Sequence, residues 1–138
     1  MPQRPHIDIE LRVRYGETDQ MGVVYHAEYL VWCEMGRTEY MRQLGQSYAS
    51  LEESGTILVV AEAALRYHAP ARYDDIIRVE TSLSDVRSRA LTFEYVICHA
   101  GKGTRLVTAR TMLVALDRSS RPVPLPIEMR ALFESKTA

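Results

Sequence analysis

A long apolar helix is the feature that most constrains how this chain folds. Residues 26–44 repeat at three- and four-residue steps, the period of an α-helix. The residues at this spacing are Leu30, Cys33, Arg37, Tyr40, Met41 and Leu44, with Val31, Trp32 and Met35 widening the apolar face. Gly45 is suited to end the helix. A helix that is apolar around much of its circumference is usually enclosed, so the remaining segments should wrap around it.

The segments on either side of this helix predict strands. Residues 6–15 alternate between apolar and polar side chains, which is typical of a half-buried strand. Four further strands are predicted at residues 56–68, 76–86, 90–99 and 105–116. This order predicts an α+β domain, an antiparallel sheet curled around one central helix. The edge strands of such a sheet favour pairing with a second copy of the chain.

Shorter elements are expected between and after the strands. A short helix is predicted at about residues 47–53, stopping near Gly55. Residues 100–103 join two predicted strands and predict a hairpin loop. The terminal segment IEMRALFES predicts a helix with Pro126 at its start.

Composition and charge exclude several classes of protein. A chain of 138 residues is expected to form one domain, residues 1–138. A net charge of −1 gives no field that would hold nucleic acid or a membrane surface. Apolar runs fall short of the roughly 20 residues of a membrane span, and the polar start MPQRPHIDIE does not resemble a signal peptide. Cys33 and Cys98 are expected to be buried thiols, so a cytoplasmic location is expected.

The usual motifs of cofactor and nucleophile chemistry are missing from the sequence. Gly101 to Thr104 read GKGT, but the full phosphate-loop spacing is absent and two strands flank the segment. The four histidines lack the HExxH spacing of a zinc site, and no GxSxG elbow occurs. No metal is therefore expected.

The junction between the first strand and the helix carries the strongest candidate chemistry. Asp19 lies in the turn, and the helix start should expose backbone N–H groups that have no partner within the helix. Such groups bind a developing oxyanion, and a nearby carboxylate can serve as nucleophile or general base. The predicted oxyanion residues are Val24, Tyr25 and His26. Alternatively, Asp19 is only a capping or turn residue.

Other side chains around the junction have two interpretations each. His26 polarises a carbonyl or orients Asp19, or it simply faces solvent. Tyr15 contacts a substrate, or it is an ordinary core aromatic at a strand end. Arg87 and Arg89, which flank Ser88, bind phosphates of a nucleotide-bearing substrate, or they form a solvated basic turn.

The segment YGETDQMGVVYHAEYLVWCEMGRTEYMRQLG resembles the signature of hotdog-fold acyl-CoA thioesterases of the 4-hydroxybenzoyl-CoA thioesterase-like family. It is most similar to the bacterial branch often encoded beside the Tol-Pal envelope genes. The signature positions are Tyr15, Asp19, Gly22, Val23, Val24, Tyr25, His26, Glu34 and Arg37. The segments RYHAPARYDDIIRVET and RSRALTFEY resemble two further blocks, so the resemblance covers nearly the whole chain.

This resemblance implies a five-stranded sheet around the helix and a homodimer or homotetramer with active sites between subunits. Asp19 would be the catalytic carboxylate, supported by Tyr15 and His26, and a backbone N–H near His26 would hold the thioester carbonyl. Surface cations would bind the CoA phosphates, and the candidates are Arg87, Ser88 and Arg89. The substrate would be an acyl-CoA, or an acyl-carrier protein, and no cofactor is implied.

Two departures and two rival functions accompany this interpretation. Glu28 stands where the family usually has asparagine, and Glu17 stands where it usually has aspartate. The rival enzyme is a hotdog hydratase or dehydratase. The rival from another class is a non-catalytic acyl-CoA-binding protein, since fold alone does not fix function.

Overall fold

The computed structural model describes residues 5–45 and 48–137. Their strands and α-helices are β1 (His6–Arg12), α1 (Glu28–Gln43), α2 (Tyr48–Glu53), β2 (Ile57–Tyr67), β3 (Ile76–Val86), β4 (Ala90–His99), β5 (Arg105–Leu116) and α3 (Ile127–Glu134). Within the described part of the chain, none of the helices is both long enough and apolar enough to cross a membrane.

The strands form one antiparallel sheet in the order β1-β3-β4-β5-β2. The predicted bounds of β3, β4 and β5 are confirmed, and so is the hairpin loop between β4 and β5. β1 ends at Arg12 instead of continuing to residue 15, because Tyr15–Glu17 forms a 3₁₀ turn. The predicted start of the short helix, Ser47, lies outside the described residues. The fold class predicted from the sequence is confirmed.

Helix α1 packs one face onto the sheet and leaves the opposite face open. Its buried residues are Tyr29, Trp32, Cys33, Gly36, Arg37, Tyr40 and Met41, which recur at three- and four-residue steps. They meet the buried side chains of the central strands, Ile77, Val79, Leu83, Leu91, Phe93, Tyr95 and Ile97. Val31 and Met35 on the other face are each 45% exposed. Within one chain, the sheet therefore covers only part of the apolar circumference of α1.

Helix α1 approaches the sheet closely at Gly36. A Cβ atom placed there would overlap with Oγ1 of Thr81 and lie 3.1 Å from Cγ1 of Val79. Glycine therefore lets the helix backbone lie directly on β3. The buried hydroxyl of Thr81 has no hydrogen-bond partner among the described residues, so its contact with Gly36 is a van der Waals contact.

The turn between β1 and α1 is fixed by a buried carboxylate. Glu17 accepts hydrogen bonds from the Trp32 indole N–H at 2.9 Å and from the Arg14 backbone N–H at 2.8 Å. Burial alone would raise the pKa of Glu17, but the hydrogen bonds from Arg14 and Trp32 outweigh it, and the pKa lies below its usual value. Glu17, which stands where the family usually has aspartate, therefore joins the turn to the helix.

The two cysteines are buried and carry free thiols, as expected for the described part of the chain. Burial raises the pKa of Cys33 to about 12, with a smaller opposing effect from the charge of Arg37. This thiol is therefore not a nucleophile near neutral pH.

Replacing Gly36 with alanine should destabilise the fold. Overpacking costs about 1–3 kcal/mol, and the better helix propensity of alanine offsets up to roughly 1 kcal/mol. Urea unfolding should therefore show a net loss, and most of it should vanish in a Thr81→Ala background, which lacks Oγ1. Gly16→Ala is the matched control, because a Cβ there meets nothing within 4 Å. Equal loss in both backgrounds would contradict the proposed contact.

The Glu17 carboxylate should make stability depend on pH. Because its pKa is lowered in the folded protein, its contribution is complete above the unfolded value of about 4.3 and is lost as the pH falls through the folded value. Glu17→Gln should cost about 1–3 kcal/mol at pH 7. The difference from wild type should shrink below about pH 4.3. Glu34→Gln, on the exposed face of α1, should show neither effect in the same unfolding experiments.

Candidate active site

The turn between β1 and α1 closes into a small antiparallel loop. The N–H of Asp19 donates to the carbonyl of Val23 at 2.9 Å, and Thr18 bridges Val24. Gly22 permits this reversal with a φ of 80°, in the left-handed region. Asp19 and the segment that enters the helix are therefore held side by side.

The Asp19 carboxylate has one committed oxygen and one available oxygen. Oδ1 accepts a hydrogen bond from the N–H of Met21 at 2.8 Å, which makes Asp19 a turn residue, as its alternative interpretation required. Oδ2 accepts no hydrogen bond from any residue that the structure describes. The side chain is half-buried. The turn thus fixes the carboxylate and leaves one oxygen open to a ligand.

Two of the three predicted oxyanion donors are wrong. The N–H of Val24 donates to the carbonyl of Ala71, and that of Tyr25 donates to the carbonyl of Glu17, both at 2.9 Å. The prediction placed the helix start at residue 26, whereas α1 begins at Glu28, with Ala27 as its N-cap. These two N–H groups therefore form hydrogen bonds within the fold and are not available to a substrate.

The N–H groups of His26 and Ala27 are left open. Neither donates to a carbonyl or side chain within the described residues. They lie at the N-terminus of the 16-residue helix α1, where the helix dipole favours negative charge. The oxyanion role of His26 stays a prediction that this geometry allows, and Ala27 offers an open N–H that the sequence analysis did not name.

A shallow depression of about 300 Å³ lies beside His26. Its lining residues are Val23, Val24, His26, Tyr29, Tyr67, His68, Ala69 and Pro70. Tyr29 is buried and accepts a hydrogen bond from the N–H of Ala71 at 3.1 Å. The rings of Trp32 and Tyr67 lie edge-on to it, at centroid distances of 4.9 and 5.7 Å. An aromatic surface therefore adjoins His26.

The side chains of Tyr15 and His26 are both exposed. Tyr15 is 77% exposed and stands edge-on to Tyr73 at 5.7 Å, so the alternative of a core aromatic is wrong. The ring of His26 lies 4.4 Å from that of Tyr25, centroid to centroid, and has no hydrogen-bond partner within the described residues. Both side chains are accessible to a ligand.

The predicted CoA-binding residues lie at the other end of the sheet. Arg87, Ser88 and Arg89 form the exposed turn between β3 and β4, and Arg87 pairs with Asp85 at 2.9 Å. The site lies beside the opposite end of β3, where Ile76 pairs with the last residue of β1. β3 has 11 residues, so the two ends are roughly 30 Å apart. One chain alone does not bring the arginines to Asp19.

Glu28, which stands where asparagine is usual, is the first residue of α1. Its N–H donates to the carbonyl of Tyr25 at 2.9 Å, and its half-buried side chain lies at the positive end of the helix dipole. The extra negative charge is thus electrostatically accommodated at this position.

Known proteins are similar to this chain in both sequence and fold. The model of the thioesterase-like superfamily matches residues 13–133. The acyl-CoA thioester hydrolase YbgC of Escherichia coli O6:H1 is 36% identical over 128 residues, covering 93% of this chain and 90% of that protein. The acyl-CoA thioesterase YbgC of Haemophilus influenzae is 37% identical over 124 residues, covering 89% and 90%.

A solved structure extends the likeness to the arrangement of the elements. The DHNA-CoA thioesterase of Staphylococcus aureus superposes with a TM-score of 0.90 at 28% identity, over 94% of this chain and 89% of that one. The family match, the relatives and this superposition agree with the resemblance drawn from the residue 15–37 signature. The chain belongs to the thioesterase-like superfamily and has its hotdog fold.

Proposed function

We propose that this protein hydrolyses an acyl-CoA thioester to a carboxylate and free CoA. One observation carries the proposal: the open oxygen of Asp19 and the open N–H groups of His26 and Ala27 lie on one tightly bonded turn. These are the nucleophilic or basic half and the oxyanion-binding half of an acyl-transfer site. The names of the YbgC relatives support this choice of reaction.

The helix start supplies the electrostatic part of the mechanism. The thioester carbonyl oxygen accepts hydrogen bonds from the His26 and Ala27 N–H groups, and negative charge grows on that oxygen during attack. The groups are held by the fold before the substrate arrives, so they need no reorganisation. Removing one such donor typically costs about 2.7–4 kcal/mol in the barrier.

Asp19 supplies the attack in one of two ways. As nucleophile, Oδ2 bonds to the carbonyl carbon, the C–S bond breaks, CoA leaves as thiolate, and water then hydrolyses the mixed anhydride. As general base, Asp19 takes a proton from a water that attacks the same carbon; the C–S bond then breaks, and the CoA sulfur leaves and regains the proton as free thiol. Tyr15 and the His26 side chain stand on the exposed side of the turn, where they contact the substrate.

A second copy of the chain completes the CoA site in this proposal. Arg87, Ser88 and Arg89 lie roughly 30 Å along β3 from the site, too far to serve it within one chain. In a homodimer or homotetramer, this turn of one subunit binds the phosphates of the CoA whose thioester lies at Asp19 of another.

Asp19→Asn should lower kcat by about 10²- to 10⁴-fold while the protein stays folded, since the amide is neither nucleophile nor base. Thiol release should be measured on short, medium and long acyl-CoAs, benzoyl-type CoAs and an acyl-carrier protein. Asp117→Asn is the matched control. Oδ1 of Asp117 accepts the Ser119 N–H at 2.8 Å, as Oδ1 of Asp19 accepts the Met21 N–H, but Asp117 follows the C-terminal end of β5, away from Asp19. That variant should keep wild-type activity.

The rival functions predict different results in this experiment. Full activity of Asp19→Asn would overturn the proposal. Tight acyl-CoA binding without thiol release by wild type would favour the non-catalytic binder. Water addition to an enoyl thioester that needs His26 but not Asp19 would favour the hydratase.

Replacing Arg87 and Arg89 together with alanine should raise KM for acyl-CoA by about tenfold or more, because charged hydrogen bonds to phosphate are lost. KM for the same acyl group on N-acetylcysteamine, which lacks phosphates, should not change. Arg121→Ala, also an exposed arginine, is the control.

Mixing this double variant with Asp19→Asn tests whether two subunits share one site. In a mixed dimer, one site combines an intact Asp19 with intact arginines from the other subunit, so activity on acyl-CoA should recover. Failure to recover after subunit exchange would contradict a shared site.

A further inference from the structure

We propose that Tyr67 is a positioning residue, whose hydroxyl sets the direction of the Ala27 N–H toward the substrate carbonyl. The inference rests on the proposed function and adds to it a residue on a different element. Tyr67 is the last residue of β2, and its hydroxyl donates to the carbonyl oxygen of His26 at 2.9 Å.

The His26 carbonyl lies outside the hydrogen-bond ladder of α1. His26 precedes the N-cap residue Ala27, and the N–H of Leu30, in the first helical turn, donates to the carbonyl of Ala27 at 3.1 Å. The hydroxyl of Tyr67 therefore satisfies a carbonyl that the helix itself does not use.

Peptide geometry carries the effect across to the oxyanion side. In a trans peptide the C=O and the N–H are coplanar and point in opposite directions. The C=O of His26 and the N–H of Ala27 belong to the same peptide. Holding that carbonyl toward Tyr67 therefore holds the Ala27 N–H away from it, on the side where the helix N-terminus is open.

The two open donors are oriented by different means. The His26 N–H belongs to the preceding peptide, whose carbonyl, that of Tyr25, accepts from the Glu28 N–H at 2.9 Å. That restraint is made by backbone alone. The Ala27 N–H depends on a side chain, so only this donor can be tested by a conservative substitution that leaves the backbone unchanged.

Packing and strand pairing hold the Tyr67 side chain where its hydroxyl reaches the His26 carbonyl. Its ring stands edge-on to the buried ring of Tyr29 at 5.7 Å, and its backbone pairs with Val107 of β5. Partial burial raises the pKa of Tyr67 above its usual value, so its hydroxyl remains protonated and able to donate throughout the neutral range.

Tyr67→Phe should lower kcat between about 10- and 100-fold and change KM little, because the donor is misdirected while the ring and the pocket remain. Tyr40→Phe is the matched control: it removes a hydroxyl from the C-terminal half of α1, where the ring packs on Phe93. It should leave both constants unchanged. Thermal unfolding of both variants checks that they are folded.

Infrared spectroscopy gives a readout that a purely structural role would not move. In the Asp19→Asn background, a benzoyl-type CoA with a ¹³C-labelled thioester carbonyl should stay intact on the protein. Hydrogen bonding to the carbonyl lowers its stretching frequency relative to free substrate. Adding Tyr67→Phe should shrink that shift, and adding Tyr40→Phe should not.

The outcomes separate this inference from the proposed function. If wild type hydrolyses thioesters and Tyr67→Phe matches it in kcat and carbonyl shift, the inference is overturned and the function stands. If wild type releases no thiol, the function fails. The carbonyl shift of bound thioester still decides the role of Tyr67, because it needs no turnover.

Discussion

The hydrogen bond between the buried carboxylate of Glu17 and the indole N–H of Trp32 joins the β1–α1 turn to helix α1. The geometry of the proposed site depends on this connection. A charged acceptor gives a stronger bond than a neutral one, and leaving it buried without partners would cost more than the bond itself contributes. The same residue fixes the turn through its backbone, where its carbonyl accepts from Tyr25. The position of Asp19, two residues further on, follows from both restraints.

Ala71 provides the second restraint, from the loop between β2 and β3. Its carbonyl accepts from Val24 of the turn, and its N–H donates to the hydroxyl of Tyr29 on the helix. Between them, Glu17 and Ala71 use the N–H groups of Tyr25 and Val24. The N–H groups of Val24 and Tyr25, directly before His26, are therefore used to hold the turn. The contacts that hold the turn in place also leave the His26 and Ala27 N–H groups free for the proposed oxyanion site.

The bounds of the central strands were predictable to the residue, since buried and more exposed residues alternate along most of each strand. The start of helix α1 was not predictable to the residue. Its N-cap, Ala27, makes no side-chain hydrogen bond, so the sequence carries no capping signal there. Asp19 and His26 were found from local spacing. The roles of Glu17 and Tyr67 depend on partners 15 and 41 residues away, which no local pattern reveals.

Pairing of two subunits would have a chemical consequence beyond stability. β2 pairs only with β5 in the described sheet, so it is an edge strand. Its residues Ala61, Ala63 and Ala64 are small and exposed, which suits its free edge to pairing with another strand. The open depression lies at the end of that same strand, at Tyr67 and His68. A subunit paired along β2 would cover it and exclude water from the space beside His26. Since N–H donors stabilise charge more strongly at low dielectric, pairing would convert a correctly shaped turn into an effective oxyanion site.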